Sequence, residues 1–275
     1  MTTNDKPEQQ RNDMTRDLQG RHVLVCGASQ GIGRASAQAL AARGADVTVL
    51  ARNRDALEQV CEGLPRPLAS QRHGWISADV GAHAELIAQV SAAGNAHAFQ
   101  ILINNTAGPA PGAIASASAE QFLDTFNRHL IANHLLVQAV LAGMRGAGYG
   151  RIINVISTSV KEPLRNLGVS NTIRGAVASW SKTLAGELGA FGITVNNVLP
   201  GYTRTQRLEQ IIRDRVAASG QSGDAIAASM LASVPAGRFA EAEEIAAAIA
   251  FLASPAASYI NGVNLPVDGG RTQSL

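Results

Sequence analysis

The segment that most restricts the fold of this chain is Gly27-Ala28-Ser29-Gln30-Gly31-Ile32-Gly33. It follows a short strand-like run, His22–Cys26, and leads into Ile32–Arg43, where apolar residues recur at helical spacing up to Gly44. A strand that passes through glycines straight into a helix needs turns and close approaches that side chains forbid. Such a turn aims several backbone N–H groups and the positive end of the helix at one point, which suits a pyrophosphate. A lone glycine-rich turn is weak evidence. This one gains weight from its place between strand and helix near the start of the chain.

The remainder of the sequence keeps the same rhythm. Strands are predicted over Asp46–Ala51, Gly74–Asp79, Ile101–Asn104, Arg151–Ser157, Thr194–Leu199 and Gly262–Val267. Helices are predicted over Arg54–Gly63, Ala82–Ala93, Ser118–Met144 (as one or two), Ile173–Phe191 and Glu241–Leu252. The alternation predicts a single doubly wound α/β domain of Rossmann type, with a mainly parallel seven-stranded sheet and helices on both faces. The domain is expected over 18–275, behind a polar, disordered tail at 1–17 that lacks an apolar signal core. Residues 204 to about 238 break the rhythm with two helical pieces and no strand. Long connections at the carboxyl ends of parallel strands form ligand lids, so a helical lid is expected there.

Composition narrows the function. Apolar residues make up 46% of the chain and aromatic residues 4%, a balance that favours close helix–sheet packing over an aromatic all-β core. The formal net charge of +2 gives no strong field for nucleic acid or a membrane surface. No uninterrupted apolar run reaches the ~18 residues of a membrane helix. Cys26 and Cys61 read as reduced thiols of a cytoplasmic protein, and neither has metal-ligand spacing.

Further motifs follow in order. The first turn has the spacing G-x-x-x-G-x-G, Asp79-Val80 follows the third strand and Asn104-Asn105-Thr106-Ala107 the fourth. Pro200-Gly201-Tyr202-Thr203-Arg204-Thr205 follows the sixth, and Val267-Asp268-Gly269-Gly270 closes the last. Together they resemble the short-chain dehydrogenase/reductase family from about Leu18 to Leu275. The resemblance implies a dinucleotide site built from Gly27, Ser29, Gln30, Gly31, Ile32 and Gly33 at the phosphates. It also implies Asp79 and Val80 at the adenine, and Asn105, Thr106 and Ala107 beyond the fourth strand. Pro200, Gly201, Thr203 and Thr205 belong to the loop that meets the nicotinamide amide. Cys26 stands where the family usually has Thr, and Ala107 where it has Gly. NAD enzymes place an acid at the end of the second strand. Here Ala51 stands there, followed by Arg52-Asn53, and Arg52 can pair with a 2′-phosphate. The cofactor expected is NADP(H) rather than NAD(H).

The family's catalytic set, Asn–Ser–Tyr–Lys, is mostly replaced. By spacing, Ser157 falls on the Ser, Ser170 on the Tyr, Arg174 on the Lys and His129 on the Asn. The chain resembles a subgroup similar to 3-oxoacyl carrier-protein reductases with the same Asn-Asn-Thr start and Ser-Asn-x-x-Arg replacement. A serine hydroxyl is a far weaker acid than a phenol and reaches less far, so Ser170 cannot simply take over from Tyr. Arg174 keeps its charge and can grip the ribose or polarise a carbonyl. His129 is expected to titrate near neutrality and to be the best remaining acid/base group. Lys161, expected at the substrate mouth, and Tyr202 are further proton sources.

Two readings stand. One is an NADP(H)-dependent oxidoreductase that interconverts a ketone and a secondary alcohol, with small carbonyl compounds or acyl thioesters as substrates. The other is a catalytically silent dinucleotide-binding protein acting as a sensor or subunit. Non-redox chemistry such as halohydrin dehalogenation fits less well, because that group keeps Tyr and loses the cofactor glycines. The helices Ser118–Met144 and Ile173–Phe191 resemble the pair through which family members assemble, so a homotetramer is expected, with a homodimer as fallback.

Overall fold

In the computed structural model, which describes residues 16–274, seven parallel strands form one sheet in the order β3-β2-β1-β4-β5-β6-β7. The strands are β1 (His22–Cys26), β2 (Asp46–Ala51), β3 (His73–Ser77), β4 (Ile101–Asn104), β5 (Gly150–Val155), β6 (Ile193–Pro200) and β7 (Asn264–Val267). Residues in β1, β4 and β5 are buried along their whole length. Burial on both faces is why these strands read as near-continuous apolar runs. Of the tail expected at 1–17, residues 1–15 lie outside the described residues. Asp17 is already part of the fold, accepting from Arg43 Nε at 2.8 Å.

Helices cover both faces. On one, Leu40 of α1 (Gly31–Ala42) and Ile245 and Ile249 of α9 (Ala242–Leu252) pack in one core cluster with the β1 side chains Val23 and Val25. On the other lie α3 (His83–Ala96), a long helix from Ala119 to Ala147, and α6 (Gly168–Leu188), around Leu24, Leu86, Leu136, Met144 and Ile152. The helix α2 (Arg54–Glu62) connects β2 to β3. The long helix is continuous but contains a π-turn. It runs as α4 (Ala119–Phe126), the π-turn Asn127–Ile131, and α5 (Ala132–Ala147). By length and composition it could cross a membrane, with a mean hydropathy of 1.2 over its most apolar window. Here its inner face packs on the sheet and on α3. Beyond β6, α7 (Gln206–Ser219) and α8 (Gly223–Leu231) form the expected helical hairpin. It has a small core of its own around Leu208, Ile226, Met230 and Phe239.

One boundary matters for the site. Helix α6 starts at Gly168, five residues before the predicted Ile173. Its entry is set by long-range contacts: Gly112 N donates to Asn166 O at 2.8 Å, and Gly168 N donates to Gly112 O at 3.2 Å. Asn166 takes a left-handed conformation (φ 59°) just ahead of the helix. Asn is one of the few non-glycine residues that tolerates it. As a result Ser170 and Arg174 sit in the first two turns of α6.

A buried polar ladder fixes α6 to the sheet. Asn154, on β5, accepts from Asn104 Nδ2 at 2.8 Å and donates to Ser181 Oγ and Asn197 Oδ1, each at 2.9 Å. Ser181 of α6 also donates to Asn197 Oδ1 at 2.9 Å, and Asn197 Nδ2 donates to Asn264 Oδ1 at 2.8 Å. The chain of bonds crosses four strands and one helix in the dry interior, where a lost partner is costly. Asn154→Ala strands the Asn104 amide and should cost about 1–3 kcal/mol. Calorimetry should show a Tm lower by several degrees; an unchanged Tm would contradict the role given to this ladder.

Candidate functional site

The sheet order reverses between β1 and β4, which opens a crevice at the carboxyl ends of the strands. A cavity of about 910 Å³ occupies that crevice, a volume suited to a cofactor and a small ligand together. One wall is the first glycine turn. Gly27 and Gly31 have φ of +61° and +53°. A Cβ on Gly27 would lie 2.3 Å from Asn105 O, and one on Gly33 would lie 2.2 Å from Gly27 O. Asn105 Nδ2 donates to Gly27 O at 3.2 Å and so ties the β4 loop to the turn. Cys26 is fully buried and its thiol is pushed up to about 12 by burial, so it fills space as a neutral group.

Helix α1 begins at this turn without a side-chain cap on Gln30 and without an acid in its first turn. Its leading N–H groups are therefore available to an anion. Thr205 closes over the turn from the Pro200–Thr205 segment, where its Cγ2 would meet a Cβ on Gly31 at 3.2 Å. All the sequence-predicted cofactor residues line the cavity except Gly33, which lies behind the turn. This cradle fits a dinucleotide: bare amides for the pyrophosphate, an exposed Arg52 at the end of β2, and Asp79 beyond β3. Asn53 lines the cavity but its side chain is occupied, accepting from Ala56 N at 3.1 Å as the cap of α2.

Asp79 is not left alone. Its Oδ1 accepts from Gly81 N and from Arg128 Nη1, each at 2.8 Å. The backbone N–H, then Arg128 and Arg52, hold its carboxyl below the usual range. Arg128 packs against Gly81, where a Cβ would lie 3.2 Å from its Cζ. Nothing in the sequence separated this arginine from an ordinary exposed helix residue.

At the other end of the cavity stand Ser157, Ser170 and Arg174. Ser157 Oγ accepts from Ser159 N at 3.1 Å, as the cap of a 3-10 turn at Thr158–Val160. Its own proton is thereby left to donate. Ser170 Oγ accepts from Arg174 Nε at 3.3 Å, one helical turn on. Arg174 Nη1 donates to Val155 O at 3.3 Å. Arg174 is buried, and burial, then neighbouring Arg207, push its guanidinium down to about 10, so it stays charged at neutral pH. Arg207, near the start of α7, donates from Nη2 to Pro109 O at 2.9 Å and also lines the cavity. Tyr202 lines it too, between Phe239 and the guanidinium of Arg271, 4.5 Å above its ring.

Two expected acid/base groups are corrected. His129 sits in the π-turn, buried, with Nδ1 2.8 Å from Thr106 Oγ1. Burial, then the charge of Arg174, push its imidazole down to about 3. It is therefore neutral at ordinary pH, does not titrate near neutrality, and is not among the cavity-lining residues. Lys161 closes the 3-10 turn after Ser157 and does not line the cavity either. The turn carries it past the mouth that simple counting assigned to it.

The fold and this crevice define a Rossmann-type dinucleotide-binding domain with an added helical hairpin. A family model described as enoyl-(acyl carrier protein) reductase matches residues 27–272, and the chain belongs to the short-chain dehydrogenase/reductase family. It is 31% identical over 259 residues to the NADPH-dependent reductase BacG of Bacillus subtilis (strain 168), covering 93% of this chain and 99% of that one. It is 33% identical over 257 residues to the 3-oxoacyl-(acyl-carrier-protein) reductase FabG of Vibrio harveyi, covering 92% and 98%. Among solved structures it is similar to L-sorbose reductase from Gluconobacter frateurii complexed with NADPH and L-sorbose. The TM-score there is 0.88 at 28% identity, with 95% and 100% of the two chains covered.

The state of His129 has a measurable consequence. Its folded pKa, about 3, lies below the unfolded value of 6.5, so between these values the unfolded chain binds the extra proton. The contribution of this group to stability is complete above pH 6.5 and is lost as pH falls toward 3. In an NMR titration the His129 ring should show no protonation step between pH 8 and 5. A midpoint near 6.5 would contradict the geometry described.

Proposed function

We propose that this chain is an NADP(H)-dependent oxidoreductase that interconverts a ketone and a secondary alcohol, using Ser157 and Arg174 without the usual tyrosine and lysine. The observation that carries this reading is the convergence of Ser157, Ser170 and a charged Arg174 on one cavity with an intact dinucleotide cradle. The reductases it resembles, two of them named with NADPH, support it. Bound NADP(H) would supply or accept the hydride. The chain's own residues hold and orient. The Gly27–Gly33 turn and the α1 N-terminus take the pyrophosphate, Arg52 the 2′-phosphate and Asp79 the adenine. Asn53, Val80 and the loops at Asn105–Ala107 and Pro200–Thr205 complete the walls.

Ser157 donates a hydrogen bond to the substrate oxygen, and Arg174 adds positive charge where an alkoxide develops. Arg174 also holds Ser170 in place, so Ser170 orients and does not act as the acid. With His129 neutral behind Thr106 and Lys161 outside the cavity, the proton comes from water or from Tyr202, which lines the cavity. A silent dinucleotide-binding protein is the second reading, favoured by the missing phenol and ammonium at positions 170 and 174.

We also propose a cytoplasmic homotetramer. The long helix leaves apolar residues outward, with Leu123 62% and Phe126 36% exposed, a face that a second copy would cover. A monomeric mass by light scattering would contradict the assembly.

Two variants test the chemistry. Ser157→Ala should lower turnover of a ketone panel by ~10²–10³ and leave NADPH affinity nearly unchanged, the scale of a lost oxyanion donor. Arg52→Ala should erase a preference for NADPH over NADH of about 10-fold to 100-fold. Equal cofactor affinities in the unaltered protein would overturn the NADP assignment. Tight NADPH binding with no turnover of any carbonyl would favour the silent reading.

A further inference from the structure

We infer that the substrate of this site is an oxo acid, a compound with a carboxylate within a few bonds of its carbonyl, and that Arg174 and Arg207 bind that carboxylate. The inference rests on the oxidoreductase reading for the carbonyl and on independent observations for the acid. Arg174 is buried to 9% exposure, and two of its three nitrogens are satisfied by Ser170 Oγ and Val155 O. The third, Nη2, faces Gly108. A Cβ on Gly108 would lie 3.3 Å from Arg174 Nη2 and 3.9 Å from Arg207 Nη2. Two guanidinium groups therefore stand beside the same glycine, and all three residues line the cavity.

No carboxylate answers them. Among the described residues, neither Arg174 nor Arg207 has an Asp or Glu oxygen within 4.0 Å. Among the described residues, the one acidic side chain lining the cavity, Asp79, is held by Arg128 at the far end. A buried cation without a partner is expensive, and a second cation beside it raises the cost. An incoming anion relieves both.

The anionic groups of the cofactor do not need this pair. Its pyrophosphate is provided for by the glycine turn and the uncapped α1 N-terminus, and its 2′-phosphate by Arg52. What remains at the substrate end is an anionic group of the substrate, and a planar carboxylate suits the guanidinium fork. Arg174 is anchored on Val155 O, two residues before Ser157, and both line the one cavity, so the carbonyl at Ser157 and the carboxylate at the Arg pair belong to a short acid of the 2-oxo or 3-oxo type. In its reduction a hydride from NADPH adds to the carbonyl carbon, the C=O π pair moves to oxygen, and that oxygen takes a proton from water or from Tyr202. A hydroxy acid forms and NADPH is oxidised to NADP⁺.

The test uses the full chain saturated with NADP⁺, which cannot reduce an oxo acid, so calorimetric titration reads binding alone. The titrants are 2-oxo and 3-oxo acids and their methyl esters. The acids should bind at least ~10-fold tighter than the esters, as befits a charge-assisted contact. Arg207→Gln should lower that ratio several-fold, leaving what Arg174 alone supplies, and Arg207→Lys should keep more of it. Arg207 is exposed, so both variants should fold, and thermal unfolding checks this. Esters that bind as well as acids, or a ratio unmoved in Arg207→Gln, would overturn the inference. Turnover with NADPH separates it from the reading beneath. Acid binding without reduction refutes the oxidoreductase and keeps the anion site. Reduction of neutral ketones with no acid preference does the reverse.

Discussion

Three stretches of backbone meet at Gly27, with only the Asn105 amide reaching in among them. The β1 turn, the start of α1 and the loop after β4 approach so closely that a single added methyl at Gly27 or Gly33 would sit on a carbonyl oxygen. Asn105 stitches the junction with its amide. This contact fixes where the sheet's winding reverses, and so where the crevice opens. The amides of α1, the β4 loop with Thr106, and the Pro200–Thr205 segment are all placed by it.

The second half of the site hangs from a different anchor. Asn154, Ser181 and Asn197 lock α6 to the middle of the sheet, and that lock sets the height and rotation of Ser170 and Arg174 upstream on the same helix. Burial then decides what the side chains can do. The same desolvation that makes Arg174 hungry for an anion keeps His129 neutral beside it. Positive charge is thus concentrated in groups that do not release protons at neutral pH. Such a site stabilises negative charge on a substrate more readily than it supplies an acid.

Much of this was legible in the sequence. The central strands β1, β4 and β5 appeared as short apolar runs because both faces are buried, and the glycine spacing marked the dinucleotide turn. Ser157, Ser170 and Arg174 were brought together by counting along β5 and α6, and they do line one cavity. What failed were inferences that depended on neighbours from other elements. His129 was given an ordinary imidazole, because its burial and the approach of Arg174 come from the tertiary fold. Lys161 was placed by distance along the chain, but the turn at Thr158–Val160 redirects it. Helix α6 was started late because its first turn is set by the loop at Gly112, far away in sequence. Arg128 and Arg207 escaped notice because a single arginine on a helix looks the same in sequence whether it faces solvent or a cavity.

The central claim is hydride transfer at a carbonyl beside Ser157 and Arg174. It is tested most directly by isotope transfer. NADPH carrying deuterium at nicotinamide C4, on each face in turn, would be incubated with the protein and an oxo acid, and the product analysed by mass spectrometry. One deuterium on the carbinol carbon, from one face only, is the predicted result. A protein that binds NADPH tightly and yields no deuterated hydroxy acid from either face, with neutral ketones equally unlabelled, would contradict the account.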